Sequence, residues 1–413
     1  MAGQDDGVPL LPWPMPALPR LPFLRPRRRP PSRLAAALWL WCVTGLGGVA
    51  AAAPGAHWAT RLPAELAAVD ARHRGQIGVH VRDLQTGVRV NHHADQDWYI
   101  ASMVKVPVAI AVLRGVEAGL FTLDTPLRLR AADYVDGAGA TNGHPVATPL
   151  PIRFLMEQMI IHSDNTASDM LIELVGLPQV NALVRSLVPQ GFGRITTLAE
   201  VRRQVYGQLT PQAWQLTGAD MLRLHQQRDE RDRLQLLSQI TEVPVLAFKR
   251  KSLDAAYAAY YAGGLNSARL DAYGQLLALL AQGGALGPDA TAYLLGLMER
   301  VATGPNRIRA GLPADARFAH KTGTQRQRVC DAGLVRMPHP GAGAGAVVVA
   351  CVRGEASLAR SEAALRDVGE ALCRSGLFNN DPGDNHASSC PAPRLERLPA
   401  AAGAAERALG ARE

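Results

Sequence analysis

Three short clusters in this chain hold residue types able to do covalent chemistry on an amide. Ser102-Met103-Val104-Lys105 sets a hydroxyl and an amine three residues apart, a spacing that puts both on one face of a helical turn. A serine hydroxyl attacks a carbonyl only when a neighbouring base takes its proton. Lys105 stands among Val104, Val106 and Val108, and apolar burial disfavours the charged form of an amine, which suits it to that task. Free N–H groups in the first turn of a helix can also stabilise an oxyanion. Taken alone, the same pattern describes a capping serine followed by a surface lysine.

Ser163-Asp164-Asn165 falls on a predicted loop between helices. A second serine there can relay a proton to a leaving group, and an asparagine amide both donates and accepts. Alone it reads as an ordinary helix start, since all three residue types cap helices. Lys321-Thr322-Gly323-Thr324 falls on a predicted strand. Gly323 lets a ligand approach the backbone, and the N–H of Thr324 can serve as an oxyanion donor. An ammonium with two hydroxyls suits a substrate carboxylate; the plain alternative is an edge strand carrying a lysine. Composition separates the readings. Only Lys105, Lys249, Lys251 and Lys321 are lysines among 44 basic residues, and two of the four lie in these clusters. An amine can give up its proton and a guanidinium effectively cannot, so lysine kept in an arginine-rich chain points to chemistry.

The three clusters follow the order of the S-x-x-K, S-D-N and K-T-G signatures. With their surroundings, Ala101–Pro107, His162–Ala167 and Asn306–Pro313, they resemble the class A (serine) β-lactamases over roughly residues 63–376. The resemblance implies that Ser102 is the acylated nucleophile and Lys105 its base partner. It implies that Ser163 passes a proton to the leaving nitrogen and that Asn165 holds the substrate amide. Lys321 and Thr322 would bind the carboxylate, and the N–H groups of Ser102 and Thr324 would form the oxyanion hole. No cofactor or metal is implied. Two departures stand out. The interval from Ser163 to Lys321 is longer than the family's, with the surplus in 200–262, expected to be a helical insertion. The family's deacylating glutamate has no counterpart in Gly193–Val201: aligned on Arg194, Thr196 takes its place and Glu200 is the nearest carboxylate.

The positioning elements follow from periodicity. Ile77, Val79 and Val81 alternate with polar residues, and Val88 and Val90 resume after a turn, which predicts a hairpin. A helix is expected from about Ser102, broken helices over 151–187, another from Thr210-Pro211, a solvated face at Gln226–Arg233, and more helix over 265–301. Strands return at Arg317–Gly323, Gly333–Arg336 and Ala346–Val352, followed by a helix with Leu358, Leu365, Val368 and Leu372 on one stripe. Strands at both ends with helices between predict an α+β fold of the β-lactamase/transpeptidase type, its antiparallel sheet built from both chain ends beside a helical subdomain. The catalytic domain is placed at 60–376 and an aperiodic, disordered tail at 377–413.

Residues 1–53 contribute six arginines and two aspartates, half of the net charge of +8. Arg25–Arg33, an apolar run to about Val49 and small residues at 50–53 read as a signal peptide, with an uncleaved membrane anchor as the alternative. The protein is thus expected to be exported, periplasmic or secreted, and monomeric. Of the cysteines after this segment, Cys330 and Cys351 flank a hairpin whose turn centres between Pro340 and Gly341, which sets them opposite each other within bridging range. The remaining charge is too diffuse for nucleic acid. His73, His92 and His93 lack metal-ligand spacing and are read as solvent-facing. The expected partner is a small molecule, a β-lactam or a D-Ala-D-Ala-type peptide. Three activities fit: β-lactam hydrolysis, peptidoglycan DD-peptidase action, or a penicillin-binding sensor or scaffold with little turnover.

Overall fold

The computed structural model describes residues 57–338, 345–378 and 390. The basic N-terminal segment therefore lies outside it, as does most of the expected tail. Helix α1 (His57–Arg72) buries Trp58, Leu62, Leu66 and Val69 along one stripe; Pro63, inside it, hides this helix from sequence inspection. Strands β1 (Gln76–Asp83) and β2 (Arg89–His92) form the expected hairpin. A 3-10 turn at Ala101–Val104 precedes α2 (Lys105–Glu117), so Ser102 lies on the tight turn and Lys105 opens the helix proper. The middle of the chain supplies α3 (Asn165–Val175), α4 (Leu198–Gly207), α5 (Glu230–Thr241), α6 (Leu253–Ala262) and α7 (Leu270–Ala281). Strands β3 (Arg317–Gln325), β4 (Arg328–Arg336) and β5 (Ala346–Arg353) and helix α8 (Leu358–Ser375) complete the fold.

The sheet runs β2-β1-β5-β4-β3, antiparallel throughout, so the two ends of the chain meet at the β1–β5 pairing. On β5, Val348, Ala350 and Val352 pack with α1 and α8, while Val347, Val349 and Cys351 pack into the core of the helical part. Both faces of the sheet are therefore covered. That explains His80, a polar neighbour in the alternating β1 pattern that is nonetheless buried: α7 lies over its face.

Several expected elements differ in detail. Pro211–Gln215 is a short 3-10 turn instead of a helix, and Gln226–Arg233 spans the break between a helix at Gly218–Gln226 and α5. Leu358 is exposed while the rest of its stripe is buried. His92 and His93 are not simply solvent-facing. His92 Nε2 lies 2.9 Å from Asp70 Oδ2, His93 Nδ1 lies 3.1 Å from the Ile77 carbonyl, and Asp70 Oδ1 accepts the Ile77 N–H. This set locks α1 to the first hairpin, and His73 pairs with Asp367 to tie α1's end to α8. Among the described residues no single helix is long and apolar enough to cross a membrane.

In the β4–β5 register Cys330 faces Cys351, their Cα atoms 4.0 Å apart, and a disulfide joins them. A second disulfide links Cys373 to Cys390. Ordered packing also continues past 377, because Phe378 is buried in the cluster that contains Trp58. Peptide mapping under non-reducing conditions is expected to recover the Cys330–Cys351 and Cys373–Cys390 pairs as linked peptides. Recovery of Cys330 and Cys351 as free thiols would contradict this arrangement.

Candidate active site

The segment carrying Ser102 is held under backbone strain. Ala101 adopts φ 47°, in the left-handed region, where a non-glycine residue costs about 1–3 kcal/mol unless its surroundings fix it. Those surroundings are on hand. The Ile100 N–H donates to the Asn266 carbonyl at 3.0 Å, and the Tyr273 hydroxyl donates to the Met103 carbonyl at 2.9 Å. Gly323 on β3 lies so close that a Cβ there would sit 2.5 Å from the Ile100 carbonyl oxygen. The glycine expected to admit a ligand is therefore required first by the protein's own backbone, which brings β3 against the serine turn.

Lys105 is fully buried, and its Nζ donates to the Ser163 carbonyl at 2.6 Å, the Asn165 Oδ1 at 2.8 Å and the Ser163 Oγ at 3.2 Å. Lys321, also fully buried, reaches the same Ser163 Oγ from β3 at 3.0 Å and the Thr322 carbonyl at 3.1 Å. One hydroxyl thus accepts from two amines. Two acceptor sites are what a hydroxyl has, so its own proton is left to point elsewhere. Burial lowers Lys105 to about 7; Asp164 and Asp169 oppose the shift and Arg202 adds to it. Burial also drives Lys321 well below the usual lysine value, reinforced by the charges of Lys105 and Arg307 and opposed by Asp331.

The loop bearing Ser163 is over-determined. Ser163 has φ 62°. Asp164 caps α3 through the Ala167 N–H at 2.9 Å and accepts the Thr141 N–H at 3.0 Å. Gly139, at φ 97°, packs on it so tightly that a side chain would overlap the carboxylate. The Asn165 amide spans the cluster, accepting from Lys105 and donating to the Asp136 carbonyl at 2.6 Å. The Asp136 side chain pairs in turn with Arg202 on α4 at 2.6 Å.

β3 is an edge strand, so alternate backbone groups along it have no ladder partner and can meet a ligand. Its outer end is braced by Arg307, only 2% exposed, which donates to the carbonyls of Gly323 at 3.1 Å and Cys330 at 2.9 Å and to the Thr324 hydroxyl at 2.7 Å. The Thr322 hydroxyl lies 2.5 Å from that of Thr303.

Glu200 is not brought to this cluster. It lies in the first turn of α4, 3.0 Å from Arg194 and hydrogen-bonded to Gln204, with no bond to Ser102, Lys105 or Ser163. Thr196 is buried and sealed by Asn266, whose amide accepts the Thr196 N–H at 2.9 Å and donates to its hydroxyl at 2.8 Å. Asp169, one turn beyond Asn165 on α3, caps α4 by accepting the N–H groups of Leu198 at 2.7 Å and Ala199 at 2.8 Å. Burial raises its carboxyl to about 6 against the pull of those donors and of Lys105. Asp169 and Asn266 carry no motif and escape sequence inspection; Arg307 lies in a quoted stretch, but nothing there distinguished it from Arg309.

The chain is similar to known β-lactamases in sequence and in fold. A β-lactamase from Stenotrophomonas maltophilia (Beta-lactamase L2) is 34% identical over 34% of this chain and 46% of its own length. One from Mycobacterium tuberculosis is 26% identical over 70% of this chain and 79% of its own. The chain spans about half the length of several curated relatives it matches. The crystal structure of a β-lactamase from Sphaerobacter thermophilus superposes with TM-score 0.55 at 26% identity, covering 78% of this chain and 98% of that one. A mutant of PBP-A, solved as an acyl-enzyme complex with penicillin-G, shares the fold at TM-score 0.57 and 22% identity, covering 76% and 96%. With its described core matched by the Beta-lactamase enzyme family over residues 61–375, the chain belongs to that family.

Proposed function

We propose that the protein opens β-lactam amides through an acyl-enzyme on Ser102 and releases the product slowly. The observation that carries this reading is the convergence of two buried amines on the Ser163 hydroxyl. Lys105, as the free amine, takes the Ser102 proton while Oγ bonds to the lactam carbonyl carbon. As the C–N bond breaks, Ser163 gives its proton to the departing nitrogen and regains one from the Lys105 ammonium. The proton lost by Ser102 thus ends on the nitrogen. Lys321, with Thr322, would seat the substrate carboxylate, whose negative charge favours the protonated amine that burial alone disfavours, and Asn165 would offer an amide for its side chain. The N–H groups of Ser102 and Thr324 are the oxyanion donors.

Slow release follows from the carboxylates. The two that act on the Lys105 charge, Asp164 and Asp169, each spend both oxygens on backbone N–H groups. Glu200 is paired with Arg194. None of these three carboxylates hydrogen-bonds to Ser102, Lys105 or Ser163, so none is held by them where a water would meet an ester on Ser102. The same lack supports a second reading, a penicillin-binding DD-peptidase whose natural acyl donor is a D-Ala-D-Ala peptide. The basic and apolar residues at 25–49 support export, to a compartment in which disulfides persist.

A fluorescent penicillin should label the wild type on Ser102 and leave Ser102→Ala unlabelled; labelling that survives the substitution would sink the mechanism. Because a positioned base contributes ~10²–10⁴-fold, β-lactam opening should show a near-stoichiometric burst followed by a steady state slower by that order. Glu200→Gln should leave both phases unchanged. Rapid linear turnover would show that some other group activates the water. D-Ala released from a D-Ala-D-Ala peptide faster than any β-lactam turns over would favour the second reading.

The state of Lys105 sets the pH dependence. The competent form is the free amine, so the acylation rate should rise through about pH 7 and level off above it. Lys105→Arg should lose acylation nearly as completely as Lys105→Ala, since a guanidinium cannot yield its proton. The folded value lies below the unfolded one, so between about 7 and the ordinary lysine value the unfolded chain holds the extra proton and stability rises with pH. A flat acylation profile from pH 6 to 9 would rule out Lys105 as the base.

A further inference from the structure

The helices between 218 and 262 reach back to the hairpin turn that follows β3. At that turn Arg326 donates to Glu230 at the start of α5, Nη2 to Oε2 at 2.7 Å, and through Nε to Asp254 in the first turn of α6. Gln327 donates to the same Asp254 oxygen at 3.2 Å. The Tyr261 hydroxyl at the end of α6 donates to the Arg326 carbonyl at 2.8 Å, and the Arg328 guanidinium lies 4.5 Å above the Tyr261 ring. Glu230 does double duty, since its other oxygen accepts the Leu253 N–H at 2.9 Å and so ties α5 to α6. The same end of α6 also packs on the serine segment: the ring of Tyr99, three residues before Ser102, lies 4.8 Å from Tyr261 and 5.6 Å from Tyr260. This strap, α5 with α6, thus touches both the serine segment and the β3–β4 hairpin.

We infer that the Arg326–Glu230–Asp254 bridge fences the free edge of β3 beyond Thr324 and limits the length of substrate that can lie along that strand. This rests on the acylation of Ser102 proposed above. A substrate with its carboxylate at Lys321 and its reacting carbonyl near Thr324 extends its remaining acyl group along the free edge toward Gln325 and Arg326. There it meets the ion-paired strap. A short acyl group ends before the fence and a long, branched one collides with it. Arg326, Glu230 and Asp254 are then specificity-determining residues with no part in the chemistry. Their ion pairs are half-exposed, a class that adds little to stability, so the fence can be opened without dismantling the fold.

The test compares second-order acylation rates, followed by intact-protein mass spectrometry, for a penicillin nucleus lacking an acyl side chain and for a penicillin with a bulky branched one. The proteins are the full chain, the double variant Glu230→Ala/Asp254→Ala, and Arg326→Ala, which opens the bridge from the hairpin side. Both variants should gain on the order of 10-fold or more toward the bulky penicillin, the scale on which a pocket wall discriminates, with the bare nucleus nearly unaffected. Agreement between variants made on opposite sides of the bridge guards against local misfolding of either. If the rate ratio stays at the wild-type value while both compounds still acylate, the fence is refuted and the acylation reading stands. If neither compound acylates the wild type, the proposed function falls and this inference with it.

Discussion

Two ammonium groups cannot both keep their charge cheaply in a dry site, and the architecture around Ser163 is organised by that constraint. Lys105 and Lys321 are both fully buried, and each lies within hydrogen-bond distance of the same hydroxyl. Desolvation disfavours charge on either, and a charge on one disfavours charge on the other. Asp164 and Asp169 keep some positive charge tolerable, while Arg202 pushes the opposite way. The result is an amine poised near neutrality. The strained backbone at Ala101 and Ser163, the tight glycines and the capped start of α3 hold that arrangement in place.

The same arrangement bears on the fate of an acyl-enzyme. The segment that the resemblance aligns with a deacylating glutamate is here used for structure. Thr196 is sealed by Asn266, and the following residues become a helix start capped by a neighbouring helix. Asn266 also holds Ile100 through its carbonyl and bonds the Tyr260 hydroxyl through its amide. One buried side chain with its own backbone therefore couples the serine segment, the α4 approach and the strap. Rigidity gained there is rigidity that a water-activating residue would have to displace.

The parts of this protein legible in its sequence are those with short-range signatures. Ser102, Lys105, Ser163, Asn165 and Lys321 stand in motifs a few residues long, and the structure brings Lys105, Ser163, Asn165 and Lys321 into direct contact. The strands followed from alternation, and the facing of Cys330 and Cys351 from the turn between them. What was not legible depends on partners far away in the chain. Asn266 and Thr196 are 70 residues apart, and Asp169 caps residues 29 and 30 positions later. Arg326 meets Glu230 across 96 positions. No local pattern marks an asparagine or aspartate for such work. Proximity in sequence also misled, because Glu200 follows Arg194 closely and pairs with it instead of reaching the amines.

The terminal helices carry a topological consequence. Glu65 on α1 pairs with Arg374 on α8, and Arg72 with Asp367. As numbers rise on one helix they fall on the other, so α1 and α8 lie antiparallel and the start of the first is beside the end of the second. Trp58 and Phe378 accordingly share one apolar cluster. The folded core is thus a nearly closed loop of chain whose ends meet on the sheet face that lies across from α7. Such a loop could be rejoined there and reopened elsewhere, in an exposed connection such as the β1–β2 turn, without altering a contact of the cluster around Ser163. The order of motifs along the chain would then be permuted while their arrangement in space was preserved.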